Sequence, residues 1–224
     1  MKILVIIPCF NEASVIRQTV TQVLDAGYEV AVIDDGSDED ILQALTGLPV
    51  HFLKHAVNLG QGAALQTGMQ YALAQGADIG VHFDADGQHQ LEDMPTMLEP
   101  IMQGKVDIVL GSRFMNPSHA RDVPFSRRLL LKMARYTNLL FTGLWLTDAH
   151  NGFRALNRKA MQTIRITENK MAHATEILRQ IKTNKLTYCE CPTRVIYTDY
   201  SKKKGQSLWN SINIFVDILL NRVS

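Results

Sequence analysis

Ile79-Gly80-Val81-His82-Phe83-Asp84-Ala85-Asp86-Gly87-Gln88-His89 is the stretch on which the fold of this chain turns. The apolar run Ile79–Phe83 has the length and composition of a buried strand, and it ends abruptly in two carboxylates at i and i+2. Such a pair leaves the sheet edge together, on a turn that can aim both groups at one divalent cation. A cation that shares its remaining positions with phosphate oxygens is how proteins hold a nucleoside diphosphate and ease its departure. Gln88 offers a further oxygen two residues on. Surface turns produce Asp-x-Asp pairs by chance, so the weight of this one comes from its surroundings.

Outward from that strand the same pattern repeats. Strands are expected at Ile3–Ile7, Glu29–Ile33, Val50–Leu53, Ile79–Phe83 and Asp107–Leu110. Amphipathic helical stretches lie between them at Glu12–Leu24, about Asp38–Leu45, Gly62–Ala74 and Leu91–Met102. Continuous Ile/Val-rich strands alternating with helices predict an α/β fold with a mostly parallel sheet covered on both faces. In such sheets ligands bind beyond the carboxyl ends of the strands. Polar groups gather at those ends: Pro8–Glu12, Asp34–Ser37, Asn58–Gln61, Asp84–His89 and Gly111–Arg113. Five decorated strand ends in succession point to one binding edge.

The chain has 224 residues, 46% of them hydrophobic, enough for one substantial core with appendages. A net charge of +1 argues against a general nucleic-acid binder. Cys9, Cys189 and Cys191 lie in strand-like contexts. The Cys-x-Cys pair shares a strand face, which allows a metal role, but without a second pair reduced thiols in a reducing compartment are expected. Met1–Pro8 reads as a first buried strand rather than a signal peptide. No apolar run reaches membrane-spanning length, so a soluble or peripheral protein is expected.

The second half changes character. Arg127–Leu146 reads as an amphipathic helix, with Arg128, Lys132 and Arg135 opposed by Leu129, Leu130, Met133, Leu140 and Phe141. In Ser207–Val223 a polar stripe of Asn210, Asn213, Asp217 and Asn221 faces a broad apolar surface containing Trp209 and Phe215, directly after Lys202-Lys203-Lys204. That combination suits a helix lying in a membrane interface; packing onto the domain or a partner subunit is the alternative.

Three further motifs carry chemistry. A carboxylate of Asp34-Asp35-Gly36-Ser37 can accept from the N–H groups of uracil or guanine, with Ser37 capping the next helix; a plain capped turn satisfies the sequence equally. Asn58–Ala64 opens a helix whose first N–H groups, around Gly60 and Gly62, can face a phosphate or ribose, or can simply pack closely. It lacks the dinucleotide and P-loop signatures. Asp148, His150 and Glu176 are polar islands in apolar surroundings. An acid there can act as a base or orient an acceptor, and Gly152 permits close backbone approach, while an ordinary loop and a solvated helix face are the bland readings.

Together Ile7-Pro8-Cys9-Phe10-Asn11-Glu12, Asp34–Ser37, Asn58–Ala64, Asp84–His89 and Gly111-Ser112-Arg113-Phe114 resemble, in order, the motifs of family 2 glycosyltransferases of the GT-A fold. The likeness is strongest to the branch of dolichol-phosphate mannose synthases and polyprenyl-phosphate glycosyltransferases, and it covers essentially the whole chain. It implies a GT-A catalytic domain over 1–206, with 1–115 binding the nucleotide sugar and 116–206 the acceptor, followed by an amphipathic helix at 207–224. Pro8, Phe10, Glu12, Gly60, Gly62, Asp84 and Ala85 would line the nucleotide-sugar pocket, with Asp35 on the base. Asp84, Asp86 and Gln88 would hold Mg2+ or Mn2+. Arg113, Arg127 and Lys204 would bind the acceptor phosphate, and Asp86, Arg113, Asp148 and Glu176 would carry catalysis. Two positions depart from the pattern: Leu131 replaces an expected serine and Leu208 an expected lysine. Transmembrane helices known in some relatives have no counterpart.

The activity so implied is an inverting, metal-dependent transfer of a sugar from a UDP- or GDP-sugar to a dolichyl or undecaprenyl phosphate. It would be peripheral at the cytoplasmic membrane face, serving cell-envelope polysaccharide synthesis. Its partners would be the nucleotide sugar, the lipid phosphate, and a membrane surface or small membrane protein. A homo-oligomer is allowed and nucleic acid is not expected. The competing readings are transfer to a saccharide hydroxyl, where Asp148 or Glu176 must be a true base, a sugar-nucleotide pyrophosphorylase, and a silent subunit that recruits a membrane partner. The missing glycine-rich, Arg/Lys-containing loop after the first strand argues against the pyrophosphorylase, and the intact Asp84, Asp86 and Gln88 against the silent subunit.

Overall fold

The computed structural model describes residues 1–116, 139–140, 142–149, 151–169 and 172–196. The Ile/Val runs of the first half form β1 (Ile3–Cys9), β2 (Glu29–Asp34), β3 (His51–Lys54), β4 (Ile79–His82) and β5 (Ile108–Ser112). Between them stand α1 (Ala13–Asp25), α2 (Ile41–Ala44), α3 (Gln61–Ala74) and α4 (Met94–Met102). The second half adds β6 (Arg154–Asn157), α5 (Arg158–Thr163), α6 (His173–Thr183) and β7 (Tyr188–Pro192). One sheet unites both halves in the order β3-β2-β1-β4-β6-β5-β7. Every pairing is parallel except those of β6, which runs antiparallel between β4 and β5.

Alternate residues of each central strand face opposite helices, which explains the uninterrupted apolar runs. On one face Leu4, Ile6, Ile33, Ile108 and Leu110 pack with Leu65 and Met69 of α3 and Ile177, Leu178 and Ile181 of α6. On the other, Val5, Ile7, Val32, Val81 and Val109 meet Ile16, Val20 and Val23 of α1 and Met94, Met97 and Leu98 of α4. Fully burying one such side chain contributes roughly 1.5–3 kcal/mol.

Asp107 ties down the opposite edge. Its carboxylate accepts from Lys159 Nζ at 2.9 Å, Thr187 N at 2.9 Å and Asn157 Nδ2 at 3.0 Å. Burial works against ionisation, but these bonds outweigh it and bring its carboxyl down to about 2.

Several expectations shift. α2 spans four residues and is capped by Asp40, which accepts from Gln43 N at 2.9 Å. Ser37 is therefore not its cap; its Oγ accepts from Asn11 N at 2.9 Å instead. The helix expected from Leu91 begins as a 3-10 turn, Leu91–Asp93, and becomes α-helical at Met94, where Pro95 fits the first turn. β6 has no forerunner in the sequence reading. Among the described residues no helix is long and apolar enough to cross a membrane. Most of the helix read over Arg127–Leu146 lies outside the described residues, as do Arg127, His150, Lys202–Lys204 and the tail at 207–224.

Candidate active site

The decorated strand ends converge on one edge. After β1 the chain turns at Asn11, whose φ of 53° is in the left-handed region that Asn tolerates. Asn11 Oδ1 accepts from Asp38 N at 2.9 Å, joining the first turn to the second. Pro8 is buried, Phe10 is exposed and Glu12 is half-buried at the start of α1, where its carbonyl accepts from Val15 N and Ile16 N.

Both carboxylates of the second turn are buried. Asp34 accepts from Ser37 N at 2.9 Å and pairs with Lys54 at 3.2 Å. Asp35 reaches across to the loop before α3: Oδ1 accepts from Leu59 N at 3.0 Å and Oδ2 from Gly60 N at 2.6 Å. His55 Nδ1 lies 2.7 Å from the same Oδ1. The Gly60 N–H is thus spent on Asp35, and the Gly62 N–H on Asn169 O at 2.8 Å. For these two glycines the close-packed helix start is the arrangement found.

At the end of β4, Asp84 is held from two sides, by Gln61 Nε2 at 3.1 Å and His89 Nε2 at 2.9 Å. Burial would raise its carboxyl, yet the His89 hydrogen bond and the charges of His89, Arg154 and His173 leave it below the usual carboxylate range. Asp86 goes the other way: burial raises it and the Asp84 charge raises it further. Gln88 donates to it through both its backbone N, at 3.1 Å, and its side-chain Nε2. Gly152 comes up beneath this pair; a Cβ there would stand 2.6 Å from Asp84 Oδ2.

Arg113, just past β5, and Asp148 meet in a buried two-pronged ion pair, Nε to Oδ2 and Nη2 to Oδ1, the latter at 2.7 Å. The Arg113 backbone N adds a third bond to Oδ2 at 3.1 Å. Glu190 of β7 supports the turn from behind, accepting from Thr147 N at 2.9 Å and Asp148 N at 3.1 Å. Glu176 is not a solvated residue of a helix face. It is buried and accepts from Thr167 N at 3.0 Å and Glu168 N at 2.9 Å, closing the loop that leads into α6.

Two buried basic residues carry no role in the sequence reading. Arg154 of β6 pairs in register with His82 of β4 and Leu110 of β5, behind the carboxylate edge. Burial lowers Arg154 to about 10, against the pull of Asp84 and Asp148. Burial, with Arg154 beside it, lowers His82 to about 3, so its imidazole is neutral. Arg154 closes the polar stretch Asp148–Arg154 and His82 stands within the run Ile79–Phe83, and spacing assigns a role to neither.

A divalent cation suits the residues of the β4 turn. The donor set is hard oxygen, from Asp84, Asp86 and the Gln88 amide, and the mutual repulsion that raises Asp86 is what a cation would relieve. Among the described residues no three His, Cys, Asp or Glu side chains cluster in ligating geometry. Cys189 and Cys191 are free thiols; burial raises both, Cys191 to about 12, which argues against thiolate chemistry.

Comparison with known proteins bears on the family and the fold. The pattern of glycosyl transferase family 2 matches residues 4–165. The UDP-N-acetylglucosamine–dolichyl-phosphate N-acetylglucosaminyltransferase of Methanococcus voltae is 30% identical over 97% of this chain and 95% of its own length. The undecaprenyl-phosphate mannosyltransferase of Micrococcus luteus is 32% identical over 73% of this chain and 70% of its own. Among solved structures, glucosyl-3-phosphoglycerate synthase from Mycobacterium tuberculosis, in complex with Mn2+, UDP and glucosyl-3-phosphoglycerate, superposes with a TM-score of 0.65. It is 16% identical, over 88% of this chain and 72% of that one, which speaks to the fold alone.

Proposed function

Because the chain belongs to glycosyl transferase family 2, we propose that it moves a sugar from a nucleoside diphosphate sugar to a polyprenyl phosphate at the cytoplasmic face of a membrane. A phosphate oxygen of the acceptor attacks the anomeric carbon, the bond from that carbon to the diphosphate breaks, and the configuration inverts. The nucleoside diphosphate leaves with the bonding pair.

The observation that carries this reading is the state of the two acids available as bases. Asp148 is locked by Arg113, and Glu176 is spent on the backbone of Thr167 and Glu168. A saccharide hydroxyl needs a base to take its proton. A phosphate is already anionic near neutral pH and needs none; its difficulty is repulsion from the sugar donor. Positive charge meets that difficulty. In this reading Asp148 orients Arg113 toward the acceptor phosphate instead of taking a proton, and Arg127 and Lys204 add to the same field.

Asp86, with Asp84 and Gln88, would hold Mg2+ or Mn2+, which when bound neutralises charge on the leaving diphosphate. Asp84, fixed by Gln61 and His89, keeps the pair in place. The relatives named for dolichyl-phosphate and undecaprenyl-phosphate transfer support the choice of acceptor, and the Mn2+ and UDP bound by a protein of the same fold support the metal and the nucleotide. Peripheral attachment through Lys202–Lys204 and the apolar face of 207–224, to lipid or to a small membrane protein, completes the proposal.

The test is a two-phase assay. Labelled nucleotide sugars are incubated with the protein, Mn2+ and a short polyprenyl phosphate, and label is counted in the organic phase. Metal-dependent transfer into lipid is expected; transfer to soluble saccharides without lipid would favour the hydroxyl reading.

A further inference from the structure

Arg154 is the bulkiest of the fully buried side chains among the described residues. It stands opposite His82 of β4 and Leu110 of β5, with Arg113 three residues beyond Leu110. Its Nη1 is buried without a hydrogen-bond partner, and so are both ring nitrogens of His82. His82 is neutral, pushed by burial to about 3, and brings no counter-charge. None of the ion pairs among the described residues includes Arg154. Burial brings its guanidinium down to about 10, which leaves it charged at neutral pH. A cation buried in this way opposes folding, so packing alone gives no reason for it.

The charges that act on Arg154 through space are those of Asp84 and Asp148. Asp84 has other support, from Gln61 at 3.1 Å and His89 at 2.9 Å. Asp148 is forked onto Arg113, the group that the proposed function turns toward the acceptor phosphate. That fork carries no net charge. A phosphate approaching it is repelled by Asp148 about as much as it is attracted by Arg113. With Arg154 drawn to the same Asp148, two cations share one anion and the set is net positive. In a buried setting such a field acts without contact.

We infer that Arg154 is a positioning residue for the transfer, which acts through Asp148 to leave Arg113 with net positive charge toward the acceptor phosphate. Being buried, it does so without touching substrate. The inference rests on the proposed function, in which Arg113 faces that phosphate.

The test compares the full-length wild type, Arg154→Met, Asp148→Asn and the double variant. Lipid labelling is followed over a range of polyprenyl phosphate concentrations, and thermal unfolding is measured on each protein. Arg154→Met should lower kcat/KM for the lipid phosphate at least about tenfold, a part of what losing a direct charge-stabilising donor costs. The KM for the nucleotide sugar should stay unchanged. Its Tm should equal or exceed that of wild type, because an unpaired buried charge has gone. In the Asp148→Asn background the same change should cost little further, since the two residues act as one set. Wild-type kcat/KM in Arg154→Met would overturn the inference, and fully independent losses in the double variant would overturn action through Asp148. An Arg154→Met protein that fails to fold, or melts well below wild type, would overturn it by making Arg154 a structural residue. Each of those results leaves the proposed function standing. Wild-type protein that labels no lipid would instead remove that reading and the inference with it.

Discussion

Gly152→Ala adds one methyl group at the point where the two halves of the chain meet at the site. The added Cβ would lie 2.6 Å from Asp84 Oδ2 and 3.2 Å from its Cγ, where ordinary contact begins at 3.4 Å. The carboxylate must retreat by about 0.8 Å, close to the 1 Å misplacement that costs about a hundredfold in rate. Retreat strains the bonds to His89 at 2.9 Å and Gln61 at 3.1 Å that aim Asp84. Gly152 does not lie in the left-handed region, so the backbone accepts alanine and the effect is local. Overpacking costs about 1–3 kcal/mol, a few degrees of Tm in a domain of this size. The expected result is a kcat/KM for sugar transfer about a hundredfold lower, weaker Mn2+ binding in the presence of nucleoside diphosphate, and a Tm lowered only slightly. A variant with wild-type turnover and wild-type Mn2+ affinity would mean that the position of Asp84 does not govern the reaction.

Asp148→Asn removes the carboxylate charge from the buried pair with Arg113. Breaking one side of a buried pair costs about 3–5 kcal/mol, so chemical unfolding should show a loss of that order together with slower transfer, and raising the pH should rescue neither. Asp107→Asn probes the far edge of the sheet. The carboxyl falls from an ordinary 3.8 to about 2, so it contributes about 2 kcal/mol at neutral pH. A depressed carboxyl stabilises fully above its unfolded value and loses that contribution as pH falls through its folded one. The stability gap between wild type and Asp107→Asn in urea should therefore be widest at pH 7 and shrink below pH 4; a gap independent of pH would contradict the assignment.

The decorated sheet edge was legible because each of the first five strands is a mostly apolar run ending in a polar cluster. β6 was not: Arg154-Ala155-Leu156-Asn157 is short, carries a charge, and becomes a strand only because β4 and β5 leave a gap for it. The Asp84/Asp86 pair could be read from spacing, since both residues lie on one turn. What their neighbours do could not. Arg113 and Asp148 are 35 residues apart, and each stood as a separate candidate until the fold joined them in one ion pair. Asp35 and Glu176 were read as side chains available to substrate or solvent, yet both are spent on backbone N–H groups of loops that approach them only in the folded chain. Sequence indicates which groups can do chemistry, and the tertiary hydrogen bonds decide which of them are already engaged.

Transfer of a sugar onto a lipid phosphate should depend on the β4 turn. Its most direct test compares wild type and Asp86→Ala for label carried from a nucleotide sugar into an organic-extractable polyprenyl phosphate sugar, with and without Mn2+. Wild type should label the lipid only when metal is present, and the folded variant should label it at least about a hundredfold less. Undiminished labelling by Asp86→Ala, or labelling indifferent to metal, would contradict it.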